Sequence, residues 1–446
     1  MTEMKERSLK NREKRDEFYA ERLAQMIRCR TVSKKDGFEP AEFLKLREVL
    51  RELFPLLTER AELTILGDDA YLYKLKGRDE NRNIMVMSHH DVVDAAGDWQ
   101  EEPFAGVIRD GKLWGRGTVD TKTPLFAEFS AIEELLREGF PFPVNTYLFS
   151  SHNEETGGDG ALLALDYFNR NNIRFDWIID EGGAVIDPPI AGISKKCAMM
   201  AVHEKGRCTA DLLVKNPQCH AGLAGGHKTP VMKMAAFIAE VDEKKPFIRK
   251  LHPEVRGMFE ALAPHMRFPM GFVFSNLWLS SGLLVRLMPK LNVAAGEMLG
   301  TGCTFRKLST DPDGSCRGEA FLRCINDADF AKDLDTLRQI AAKHDVELTI
   351  RENEYYKPAS LDSVGYQYIR RTAEKAFPYA AVAPFILPAG TDARRFADLS
   401  DAVIRFAPID IDSQQYASVH SENENISVDK LHLAVDFYKL LLRNYQ

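Results

Sequence analysis

No apolar run in this 446-residue chain is long enough to span a bilayer, which argues against a transmembrane protein. The opening MTEMKERSLKNREKRDE is dense in both charges and lacks the apolar centre of a signal peptide. A basic excess is missing too. With 59 Lys and Arg against 66 Asp and Glu the net charge is -7, which argues against nucleic acid or an anionic membrane as partner. The seven cysteines are odd in number and contain no CxxC pair. That pattern fits reduced thiols in a cytosolic protein better than a disulfide framework, so the expected location is the cytoplasm. Repeats, low-complexity segments and Gly/Ser linkers are absent as well.

What is present is the composition of an ordinary globular protein, 45% hydrophobic and 28% charged, with more chain than one core usually fills. Helical spacing over Glu17 to Cys29 and Ala41 to Leu53 leads into alternating strand and helix patterns that run to about Asp187. This is the mark of a parallel βαβ sheet. The middle differs. It holds strand-like pieces over Met199 to Val214 and Glu319 to Cys324, a helix from Pro230 to Val241 capped by Thr229, a helix from Ala328 to Lys343 capped by Asp327, and a strand from Val346 to Glu352. The α/β pattern then resumes with helices Val364 to Phe377 and Val428 to Asn444. The expected fold class is α/β: a mostly parallel-sheet domain of residues 1–196 and 356–446, interrupted by an α+β domain of residues 197–355.

Four stretches run from apolar residues straight into acids or histidine: Asn83 to Val93, Val144 to Thr156, Phe175 to Gly183, and Ala402 to Asp412, the last followed closely by SVHSENE. Each reads as a buried strand whose end turns polar, and in open α/β sheets the ligand crevice lies beyond such ends. In SHHDVV, strand alternation puts His89 and Asp91 on one side, so His89 can bind a metal while Asp91 takes its other N–H; His90 then points away. In LWGRGTVDTK, Asp120 lies just past two turn-forming glycines, where a carboxylate is able to bridge two cations or merely to cap a surface turn. Glu154 and Glu155 follow VNTYLFSS, where one acid can ligate and the other act as a base. Asp180 ends FDWIID; Glu181 competes with it, though alternation directs Glu181 away. His420 supplies the last imidazole, with Glu422 and Glu424 as neighbouring polar residues.

SHHDVV, DWQEEPFAGVIRDGKLWGRGTVDTK, NEETGG, IIDEGG, GTDAR and VHSENE, in that order, resemble the aminoacylase/carboxypeptidase family of dinuclear zinc peptidases. Within it the chain looks most like the branch of carboxypeptidase S and the N-acyl-amino-acid hydrolases. The resemblance implies a zinc-hydrolase domain interrupted by a lid. It makes His89, Asp120, Glu155, Asp180 and His420 ligands of two divalent metals, zinc first, with cobalt or manganese also tolerated. It also implies Glu154 as general base, Asp91 orienting His89, and Arg394 holding a substrate carboxylate in a loop shaped by Gly390 and Thr391. His220, in QCHAGLAGG, matches a lid histidine that many members lend to a partner's site in a homodimer. The chain departs from the family at Thr123 and Pro124, where many members place glycine after the lysine, and at Ala221 and Gly222, where small hydroxyl residues often stand.

The function so implied is metal-dependent hydrolysis of the amide bond of a dipeptide or N-acyl amino acid with a free carboxylate, through a metal-bridging water activated by Glu154. The competing expectations are a deacylase of a non-peptide amide and a catalytically silent metal-binding scaffold. The apolar segment Phe268 to Met288 is open between an acyl pocket, core packing and a dimer face.

Overall fold

The computed structural model describes residues 2–216, 229–291 and 296–446, with side chains from residue 10 onward except at residue 291. A nine-stranded sheet forms its centre, in the order Glu62–Leu66, Ala70–Leu75, Val144–Ser151, Asp79–His89, Trp177–Asp180, Val403–Arg405, Lys196–Glu204, Ala380–Leu387. The ninth strand, Val185–Ile186, pairs beside Lys196–Glu204. The four middle strands, from Val144–Ser151 to Val403–Arg405, are parallel to one another, and antiparallel pairs flank them on both sides.

Strand alternation sorts the apolar residues onto two faces. Ile84, Val86, Leu148, Ile179 and Ile404 face helices Lys122–Arg137 and Leu431–Arg443, meeting Phe126, Phe129, Val435 and Tyr438. Met85, Met87, Tyr147, Phe149, Ile178 and Val403 face the other way, onto Ala161, Ala164 and Phe168 of helix Gly160–Arg170 and onto Phe396. With both faces covered, the strands read as continuous apolar runs. Registered pairing brings their carboxyl ends to one level: His89 lies opposite Ser151, and Arg405 opposite Asp180.

The inserted unit is a four-stranded antiparallel sheet, ordered Gly302–Thr310, Cys316–Cys324, Gly206–Val214, Glu347–Glu354, with helices Pro230–Lys244 and Asp327–Lys343 packed on it. Two corrections to the expected 197–355 block follow. Lys196–Glu204 pairs in parallel with Ala380–Leu387, so the chain leaves the central sheet only at Lys205. Helices Pro253–Leu262, Met270–Ser275 and Leu277–Leu291 turn back onto that sheet, where Val255, Phe259, Phe274 and Leu277 pack with Cys197, Ala381 and Ile386. The cap of Asp327–Lys343 is also corrected: it is Asn326, whose side chain accepts the Asp329 N–H at 2.8 Å. No helix among the described residues is long and apolar enough to cross a membrane.

Candidate metal centre

His89 is the last residue of its strand and is buried. Its Nδ1 lies 3.0 Å from the Asp91 carbonyl and 3.3 Å from the Asp91 carboxylate, so Nδ1–H is the donor. Asp91 also accepts the backbone N–H groups of Glu154 and Glu155 at 3.2 and 3.1 Å. One buried acid thereby orients the imidazole and positions both glutamates. His90 points away as expected, stacking on Tyr71 with ring centroids 4.3 Å apart.

The Asp120 carboxylate lies between two imidazoles, Oδ1 at 3.0 Å from His89 Nε2 and Oδ2 at 3.1 Å from His420 Nε2. His420 Nε2 is also 2.9 Å from Glu155 Oε2. Residue 420 adopts a left-handed backbone, φ 58°, in the turn that carries it back to the strand ends. Ligand-type atoms of His89, Asp120 and Glu155 lie within 4.8 Å of one another.

Asp180 is the last residue of its strand and is buried. Its carboxylate accepts the N–H groups of Ala393 at 3.0 Å and Glu181 at 2.8 Å. The side chain that joins Asp120, Glu154, Glu155 and His420 in lining a cleft of about 350 Å³ is Glu181. The strand stops at Asp180, and Glu181 sits in the turn beyond it. Asp392, buried and accepting the Ser151 hydroxyl at 2.5 Å, is a further acid unassigned from sequence, although it stands in GTDAR. Gly390 and Thr391 line the cleft. Arg394 donates to the Thr391 carbonyl at 2.7 Å and comes within 3.9 Å of Glu154. His220 lies outside the described residues.

The electrostatics of this cluster are unbalanced. Burial raises the Glu154 carboxyl well above its usual range, against the pull of His89, and Asp392, Asp91 and Glu155 push it the same way. Burial also raises Glu155, and raises Glu181 with help from Asp120 and Asp180. Asp180 is pushed up to about 7 by burial and by Asp392. Asp120 is held low, because hydrogen bonds from His420 and His89 outweigh its burial, and Asp91 is lowered, against its burial, by His89 as well. His420 is pushed up to about 10 by Asp120 and Glu155.

These residues fit a divalent metal. With Nδ1–H committed to Asp91, the Nε2 lone pair of neutral His89 faces a carboxylate, an arrangement that needs a cation or a proton in between. Glu155 Oε1 is buried with no hydrogen-bond partner among the described residues. Carboxylates removed from water need matched positive charge, and oxygen and imidazole donors together suit zinc, cobalt or manganese.

A model of the peptidase family M20/M25/M40 matches residues 85–444. The chain is 28% identical over 446 residues to the N-fatty-acyl-amino acid synthase/hydrolase PM20D1 of Xenopus tropicalis, covering 97% of this chain and 86% of that protein. It is 29% identical over 449 residues to the probable carboxypeptidase S-like 2 of Dictyostelium discoideum, covering 95% and 84%. Among solved structures, the M20 family metallo-carboxypeptidase Sso-CP2 of Sulfolobus solfataricus shares the fold, with a TM-score of 0.67 over 94% of this chain and 97% of that one at 18% identity.

Proposed function

The chain belongs to peptidase family M20/M25/M40, and from that premise we propose that it cleaves the amide bond of N-acyl amino acids or small peptides that end in a free carboxylate. It is a hydrolase of C–N bonds, as its family is. The observation that carries the reading is the convergence of Asp120, Glu154, Glu155, Glu181 and His420 on one cleft beyond the parallel strands, with acid in excess of fixed positive charge.

His89, Asp120, Glu155 and His420, together with Asp180 or Glu181, would hold two divalent cations. Bound there, the cations supply Lewis-acid chemistry, polarising the scissile carbonyl and making water a stronger acid. Glu154 takes the proton of the attacking water and delivers it to the departing amine nitrogen; its burial raises the carboxyl above the ordinary glutamate range and makes it a stronger base than a solvated one. Arg394, beside Glu154 and the Gly390–Thr391 loop, pairs with the substrate carboxylate.

An apolar acyl group is favoured over a polar dipeptide residue by a second cavity, of about 160 Å³, that shares Gly182, Ala184, Pro388 and Tyr416 with the cleft. Its remaining lining includes Met199, Met258, Met298 and Phe385, adaptable surface for a flexible chain. The name of the Xenopus relative supports the same substrate class. None of the residues lining this cavity falls in Phe268 to Met288. That segment instead exposes Phe268, Phe272, Trp278, Leu279 and Leu283, and we assign this face to the homodimer that the family resemblance implies. Trp278→Glu should then yield monomers in sedimentation; an unchanged sedimentation coefficient removes the assignment.

The substrate reading is tested with dipeptides and N-acyl amino acids of rising chain length, each as free acid and as amide. The proposal expects the free-acid N-acyl series to be cleaved best. Arg394→Ala should lower kcat/KM for the free acids by about 2 kcal/mol or more, leaving the amides little changed. Equal losses on both series would remove Arg394 from carboxylate recognition. Metal binding without hydrolysis anywhere in the panel would favour a silent scaffold.

A further inference from the structure

We propose that Glu424 is a positioning residue for the metal centre, clamping the loop that carries Asp120 to the segment that carries His420. This rests on the metal reading above.

Glu424 is fully buried, and its two carboxylate oxygens share out the loop's donors. Oε1 accepts the backbone N–H groups of Val119 at 2.7 Å and Asp120 at 3.0 Å. Oε2 accepts Gly117 N–H at 3.1 Å and Arg116 Nη1 at 2.7 Å. The Glu424 carbonyl accepts Gly115 N–H at 2.9 Å, so one residue grips the loop from 115 to 120. Left-handed backbone at Gly117, φ 92°, helps turn successive N–H groups inward, making a cradle for an anion. With four donors satisfied, the carboxylate is committed to the loop rather than to a metal.

The placement distinguishes a clamp from a plain ion pair. Neutralising Arg116 would need only Oε2; Oε1 is given wholly to the amides of Val119 and of Asp120 itself. Just beyond, Asn425–Ser427 pairs antiparallel with Lys112–Trp114, joining the same two segments. On the other side, the Asn423 side chain accepts Gln100 N–H at 2.7 Å. His420 stands four residues before Glu424, and its imidazole meets the Asp120 carboxylate at 3.1 Å. Two ligands far apart in sequence therefore share one anchor, and their separation is set by that anchor.

The test is cobalt titration of the full-length protein against a competing chelator, with the visible spectrum of the cobalt-loaded form. Glu424→Gln puts an amide where one oxygen accepted two donors, and should weaken cobalt binding roughly 10–100-fold, the usual effect of losing a group that orients a ligand. Its cobalt spectrum should also change. Arg116→Gln, which leaves the Val119 and Asp120 contacts in place, should lower the melting temperature while keeping the wild-type spectrum. If Glu424→Gln does not fold, Glu424→Asp carries the test: it keeps the charge near Arg116, but its shorter side chain cannot reach both donor sets. Variants at 424 that melt earlier yet bind cobalt with wild-type affinity and spectrum would make Glu424 structural only and overturn the inference. Wild-type protein that binds no cobalt would overturn the metal reading itself.

Discussion

Asp410 and Glu154 are carboxylates largely removed from solvent in the same domain, yet their surroundings differ in kind. Asp410 receives Lys196 at 2.6 Å, Lys430 at 2.8 Å and the Tyr379 hydroxyl at 2.7 Å, and these bonds outweigh burial to hold its carboxyl below the ordinary range. Glu204 is similarly matched, with Arg405 Nε at 2.6 Å and the Thr391 N–H and hydroxyl at 3.1 and 3.0 Å. Among the described residues Glu155 has only His420 at 2.9 Å and Glu154 only Arg394 at 3.9 Å, and burial pushes both of them and Glu181 up. Matched acids hold the fold together. Unmatched acids gathered at one cleft define a site whose missing charge comes from outside the chain.

The widest separation between the two groups should appear in turnover. Glu154→Gln keeps the shape of the side chain but cannot take a proton, so kcat should fall by roughly 10²–10⁴-fold. Metal content and melting temperature should stay near wild type. A variant with near-native kcat would end the assignment of Glu154 as base.

At Asp410 the effect should be smaller and should fall on stability. Asp410→Asn removes a charge that Lys196 and Lys430 were matched to, costing about 1–3 kcal/mol, between an exposed pair and a fully buried one. The sign with pH follows from the lowered carboxyl. Its contribution is present in full above the ordinary aspartate range, near pH 4, and is lost as pH falls through the lower folded value. Denaturant titrations should therefore show the wild-type advantage at pH 7 shrinking at pH 3. An advantage that is constant with pH would place the effect in packing rather than charge.

Much of this contrast was legible in the chain. The runs ending in His89, Glu154–Glu155 and Asp180 read as buried parallel strands because both faces of that sheet are covered, and His89, Asp120, Glu155 and His420 do meet. Between Asp180 and Glu181 the sequence reading takes Asp180 as the ligand; Glu181 lies in the turn just past the strand end, where alternation no longer directs a side chain. Met199 to Val214 read as one block because apolar alternation does not reveal that a chain changes sheets at Lys205. Glu424 read as a bystander because most of its partners are backbone N–H groups, which a list of side chains does not display.

The central claim is that the unmatched acids and two histidines form one metal centre, and anomalous diffraction from zinc-loaded crystals tests it most directly. The account predicts two zinc peaks beside Asp120, one or the other within bonding distance of each of His89, Glu155 and His420 and of Asp180 or Glu181. Peaks absent from the strand ends would contradict it.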